Sequence, residues 1–62
     1  MKLVQFRNTA NREQWVNADK VCSVEEYGNG TVEIHFGTED GKVIVKEDIS
    51  VVISKLAGAG KP

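Results

Sequence analysis

The segment "KVIVKEDISVVISKLAGAG", residues 42–60, changes its apolar period halfway along. Up to Lys46 it is a short run of β-branched residues, Val43, Ile44 and Val45, between two lysines, the composition and length of a strand. Beyond it, apolar residues fall at Ile49, Val52, Ile53 and Leu56, the i, i+3, i+4, i+7 spacing of one helical stripe. The switch predicts a strand "KVIVK" and then a short amphipathic helix. β-Branched residues lower helix propensity by only tenths of a kcal/mol each, so the period outweighs them. Asp48 is placed to cap the amino end and Glu47 suits the helix dipole. Lys55 suits the last turn and Gly58 a left-handed C-cap. Val51 lies off the stripe. Burying the four stripe residues is worth roughly 6–12 kcal/mol gross, against about 5–15 kcal/mol of net stability for a whole domain. A helix in that position closes a core.

What it closes over is read from the preceding segments. Residues 2–7 ("KLVQFR"), 14–18 ("QWVNA"), 21–27 ("VCSVEEY") and 31–37 ("TVEIHFG") read as strands. Glycines in "GNG" supply the positive φ of a tight hairpin. A three-residue loop at 28–30 pairs Cys22 with Phe36, Val24 with Ile34 and Glu26 with Val32. A four-residue loop at 38–41 pairs Phe36 with Val43 and Ile34 with Val45. One face then collects Cys22, Val24, Val32, Ile34, Phe36, Val43 and Val45, a core face. The neighbouring pairs Leu3/Val4 and Trp15/Val16 leave the facing of the first two strands open. The expected fold is α+β: a strongly bent antiparallel five-stranded sheet, or small open barrel, with one C-terminal amphipathic helix. Residues 1–57 form one domain and 58–62 a flexible tail.

A chain of 62 residues buries only roughly 60% of the surface its unfolded form exposes. Disulfides, metals or self-association commonly make up the shortfall. One cysteine, Cys22, excludes an intrachain disulfide. With His35 as the one histidine, a four-ligand zinc site needs carboxylates or a second chain. Self-association is the remedy left. The net charge of −1 argues against a dedicated polyanion binder. "MKLVQFRNTA" has no apolar signal core, and no run approaches the ~20 apolar residues of a membrane span. A lone thiol with no export signal leads to the expectation of a reducing cytoplasm and no membrane insertion.

Chemistry-bearing residues are few. His35 falls on the outward face between Ser23 and Ile44, with Glu25 and Glu33, but no nucleophile elbow or oxyanion motif accompanies them. A chain this short has little room for a pocket of catalytic size. The expectation is a non-enzyme without cofactor or metal. Cys22 on the core face behaves as a small hydrophobe. "GNG" and "TEDG" lie between strands and lack the residues of a phosphate or calcium loop. The candidate interaction surface is Trp15, Tyr27, His35, Ile44, Lys42 and Lys46. Its function is read as a non-catalytic protein–protein or assembly module, self-associating or docking another protein. The alternative is a small β-barrel binding RNA or single-stranded DNA through Lys42, Lys46, His35 and Tyr27, a reading that Glu25 and Glu33 oppose.

Asn17 after the short second strand, "VCSVEE", the hairpin into "TVEIHF", "DGKVIVKED" and the closing helix together resemble the small bacterial flagellar FlbD (swarming motility SwrD) proteins. The resemblance covers most of residues 3–56. It departs from that family's pattern in the longer first hairpin "RNTANREQ" and in Asp48, where the family tends to have serine. It implies a cytosolic, non-enzymatic accessory protein of the flagellar motor that acts through protein contacts.

Overall fold

A computed structural model of the chain describes residues 2–37 and 41–59. The elements run β1 (Leu3–Arg7), β2 (Glu13–Asn17), a 3-10 turn (Ala18–Lys20), β3 (Ser23–Gly28), β4 (Thr31–His35), β5 (Lys42–Val45) and α1 (Ile49–Ala59). The fold is α+β, but the strands form two antiparallel sheets, β1–β2 and β3–β4–β5, rather than one bent five-stranded sheet or a barrel. Among the described residues, the backbones of the two sheets meet at one bridge, Asn8 to Val45, beside a hydrogen bond from the Lys46 N–H to the Arg7 carbonyl at 2.7 Å. β1 ends at Arg7 and β5 at Val45, so neither strand extends far enough to widen that bridge into a ladder.

In the first hairpin Val4 pairs with Val16, and Phe6 with Gln14. Phe6 and Val16 are buried, so their faces point inward and those of Leu3 and Trp15 outward. Asn8 organises the loop. Its Oδ1 accepts from the N–H groups of Ala10 (2.9 Å) and Arg12 (3.1 Å), and its Nδ2 donates to Gln14 at 3.0 Å. Asn11 takes a positive φ of 61°, which asparagine tolerates better than most residues.

The expected pairs Val24/Ile34 and Glu26/Val32 are present. The loop between them is shorter than expected: Gly28 faces Thr31, leaving Asn29-Gly30 as a two-residue turn with φ of 50° and 76°. Tyr27 is the extra residue of a bulge between Glu26 and Gly28, which absorbs the difference and keeps the register. On the far side the register slips by two. Ile34 faces Val43 and Val32 faces Val45, not Phe36/Val43 and Ile34/Val45. An even slip leaves every side chain on its expected face, so alternation alone does not detect it. His35 consequently stands between Ser23 and Lys42, and Ile44 opposite Glu33. The turn residues 38–40 lie outside the described residues.

The core comprises Phe6, Val16, Val32, Ile34, Val45 and Val52, with Val24, Phe36, Val43, Ile49 and Leu56 among the half-buried residues packed on it. Cys22 is exposed, against expectation. Its N–H donates to the carbonyl of His35, the residue already opposite Ser23. Two residues thus share one partner and the alternation ends before Cys22. The helix packs on β1, β3 and β4. Asp48 caps it as expected: its carboxylate accepts from the Ser50 N–H at 3.2 Å and from the Ser50 hydroxyl, and its carbonyl accepts the Val52 N–H.

Three expectations about the helix fail. Ile53 is exposed, because a sheet this small covers only the narrow stripe Ile49–Val52–Leu56. Gly58 is helical, not a left-handed cap, and the helix continues to Ala59. Of the tail expected at 58–62, residues 60–62 lie outside the described residues. Lys55 is not in the last turn and reaches back instead to Glu47.

Candidate functional site

The outward sides of the two sheets and one groove beside the helix carry the remaining chemistry. The six residues of the expected interaction surface do not form one patch. His35 and Lys42 are register partners, and Ile44 lies on the same face of β5 as Lys42. Ile44 is only half exposed and flanked by Glu33. Lys46, exposed, follows the end of β5. Trp15 projects from the other sheet, 56% exposed, and Tyr27 from the bulge of β3, 65% exposed. Cations and carboxylates intermix on the face of β3–β4–β5, so it presents no uniform positive field to a polyanion.

Glu33, expected in water, is buried at 8% exposure. Its Oε1 lies 3.1 Å from Nε2 of His35, and Oε1 of Glu25 lies 3.9 Å from the same nitrogen. Alternation put Glu33 on the outward side correctly. It gave no sign that this side is covered at the central strand.

A second cluster surrounds Glu47, at the junction of β5 and α1. Its carboxylate accepts from the Arg7 N–H at 3.0 Å and from Lys55 Nζ at 3.1 Å. Lys55 also donates to the Gln5 carbonyl at 3.1 Å and stands 5.2 Å from the centroid of the Phe6 ring, within cation–π range. These residues, with Lys46, line an open groove of about 410 Å³. Lys55 is already neutralised there by Glu47, which makes the cluster a latch between β1 and α1 and not an anion site.

The apolar groove lies elsewhere. Val21, Cys22, Ser23 and Val24 form one wall, Ile53, Leu56 and Ala57 the other, around about 370 Å³. Ile53 is 52% exposed. Among the described strands β3 is an edge that pairs with β4 alone, so the groove runs on into the open edge of a sheet. Sequence reading missed this groove because it assigned both Cys22 and Ile53 to the core. Among the described residues no helix is long and apolar enough to cross a membrane.

No protein-family model matches the chain, and neither the curated proteins nor the solved structures provide a match.

Proposed function

We propose that this chain is a non-catalytic assembly module that self-associates through the edge of β3 and the groove between β3 and α1. One observation carries the reading. Ile53 is exposed on one wall of the groove, and among the described residues four more large apolar side chains (Leu3, Trp15, Tyr27 and Val51) are exposed outside it, against six in the core. A domain with so thin a core gains from covering such surface. The occupant is a second copy. An edge strand meeting its own copy antiparallel generates a closed two-fold contact with the same patch on both sides. A register centred on Val24 sets Glu25 opposite the partner's Ser23, which keeps like charges apart.

A protein-contact role agrees with what the likeness to the flagellar FlbD/SwrD proteins implies. A free exposed thiol at Cys22 suits a reducing cytoplasm. RNA or single-stranded DNA binding is less well supported, since Glu25 and Glu33 share the sheet face with Lys42.

Sedimentation equilibrium in EDTA tests the proposal. A concentration-dependent dimer is expected, insensitive to salt, and Ile53→Glu should leave a folded monomer. A parent chain that stays monomeric up to about millimolar concentration, where even contacts worth only ~4 kcal/mol begin to populate, refutes it. Binding to an oligonucleotide that falls steeply with salt would favour the alternative.

A further inference from the structure

His35, the one histidine of the chain, stands where two carboxylates converge. Glu25 and Glu33 are direct register partners on β3 and β4, and His35 follows Glu33 by two residues on the same face. One donor atom from each of the three residues lies within 4.8 Å of the other two. The closest pair, His35 Nε2 and Glu33 Oε1, is 3.1 Å apart. Tetrahedral ligands around a zinc ion with bonds of about 2.0–2.2 Å stand roughly 3.3–3.6 Å apart, between the 3.1 and 3.9 Å that separate His35 Nε2 from the two carboxylates. Both carboxylates approach the same imidazole nitrogen, yet a neutral imidazole N–H donates from that atom to only one of them.

Burial supplies an independent reason. Glu33 is the buried charged side chain of the described residues. Among those residues no lysine or arginine forms an ion pair with it or with Glu25. Like charges directly opposite on paired strands repel, and the neighbour that meets both carboxylates, His35, offers them a cation only when protonated. We propose that Glu25, Glu33 and His35 bind one divalent transition-metal ion of the zinc class, with water completing its coordination. Magnesium and calcium favour all-oxygen shells with more ligands, and the imidazole selects against them. The cation neutralises both carboxylates and fixes β3 against β4 on the outward face.

The test uses the Cys22→Ser protein, because the exposed thiol is a zinc ligand in its own right. Zinc chloride is titrated and followed by calorimetry and native mass spectrometry. One zinc per chain is expected, weakened at least ~10-fold by Glu25→Gln and by His35→Ala, at least what loss of an outer-shell partner alone costs. The Tm of the parent should rise with zinc, and those of the variants should rise less at the same zinc concentration. The Glu25 side chain is 73% exposed, so Glu25→Gln leaves the fold intact and reports on ligation alone. Absence of zinc binding, or binding that either variant retains unchanged, overturns the proposal. The stoichiometry is read per chain, so it stands or falls separately from self-association measured in EDTA.

Discussion

Asn8 illustrates how much one side chain contributes in a chain of this size. Three hydrogen bonds from its carboxamide hold the loop between β1 and β2. Asn8→Ala is expected to cost about 2 kcal/mol, read as a lower denaturant midpoint at unchanged m-value. Asp48 gives a pH signature. Hydrogen bonds from the Ser50 hydroxyl and then the Ser50 N–H hold its carboxyl below the ordinary 3.8. A carboxyl whose folded pKa is lowered stabilises the fold fully above the unfolded pKa and loses that contribution as pH falls through the folded value. The Tm difference between the parent and Asp48→Asn should therefore shrink on acidification below about pH 4. Asp48 was legible in the sequence because a cap is a local pattern. Glu47 was legible only as a helix-dipole residue. Its partner Arg7 lies forty positions away, and nothing in the local sequence announces that contact.

Turns and helix ends separate glycines of opposite consequence. Gly30 has φ +76° with open space around its Cα, so Gly30→Ala is disfavoured by backbone conformation alone, at about 1–2 kcal/mol. Gly58 is helical and equally unobstructed. Gly58→Ala should stabilise by up to ~1 kcal/mol, less any fraying at the helix end. Thermal melts of the two variants should move in opposite directions. The strand and helix assignments were legible because periods of two and 3.6 are strong signals. The register of β4 against β5 was not, since a slip of two preserves every facing. The helix stripe was overread for a related reason: spacing gives the direction Ile53 points, not the width of the sheet beneath it.

At the level of the whole molecule, Val52 is, among the described residues, the one fully buried side chain that α1 contributes. Val52→Ala should cost about 2 kcal/mol, a large part of the roughly 3–5 kcal/mol that a single core supplies at this size. If self-association contributes to stability, Tm should rise with protein concentration in the parent and remain flat in Ile53→Glu. The class of fold was legible, but its division into two sheets was not. Whether β1 and β5 form a ladder or a single bridge depends on where each strand stops, which apolar patterning does not encode. The shared face of His35, Glu25 and Glu33 was legible in the sequence, but their convergence, which depends on side-chain reach, was not, and no metal was expected there.

The single bridge between Asn8 and Val45 also governs the order in which the molecule comes apart. Hydrogen exchange should register a seam that opens locally within one cooperative unit, since Phe6 and Val16 of the hairpin share the core of Val32, Ile34, Val45 and Val52. The Lys46 amide, held only by the Arg7 carbonyl across that seam, should exchange well before the amides at the centre of β4. The latch of Glu47 and Lys55 closes the same seam from the helix side, so Glu47→Ala should accelerate Lys46 exchange while leaving β4 protection nearly unchanged. On that account the clasp between hairpin and sheet loosens locally before the core they share melts as a whole.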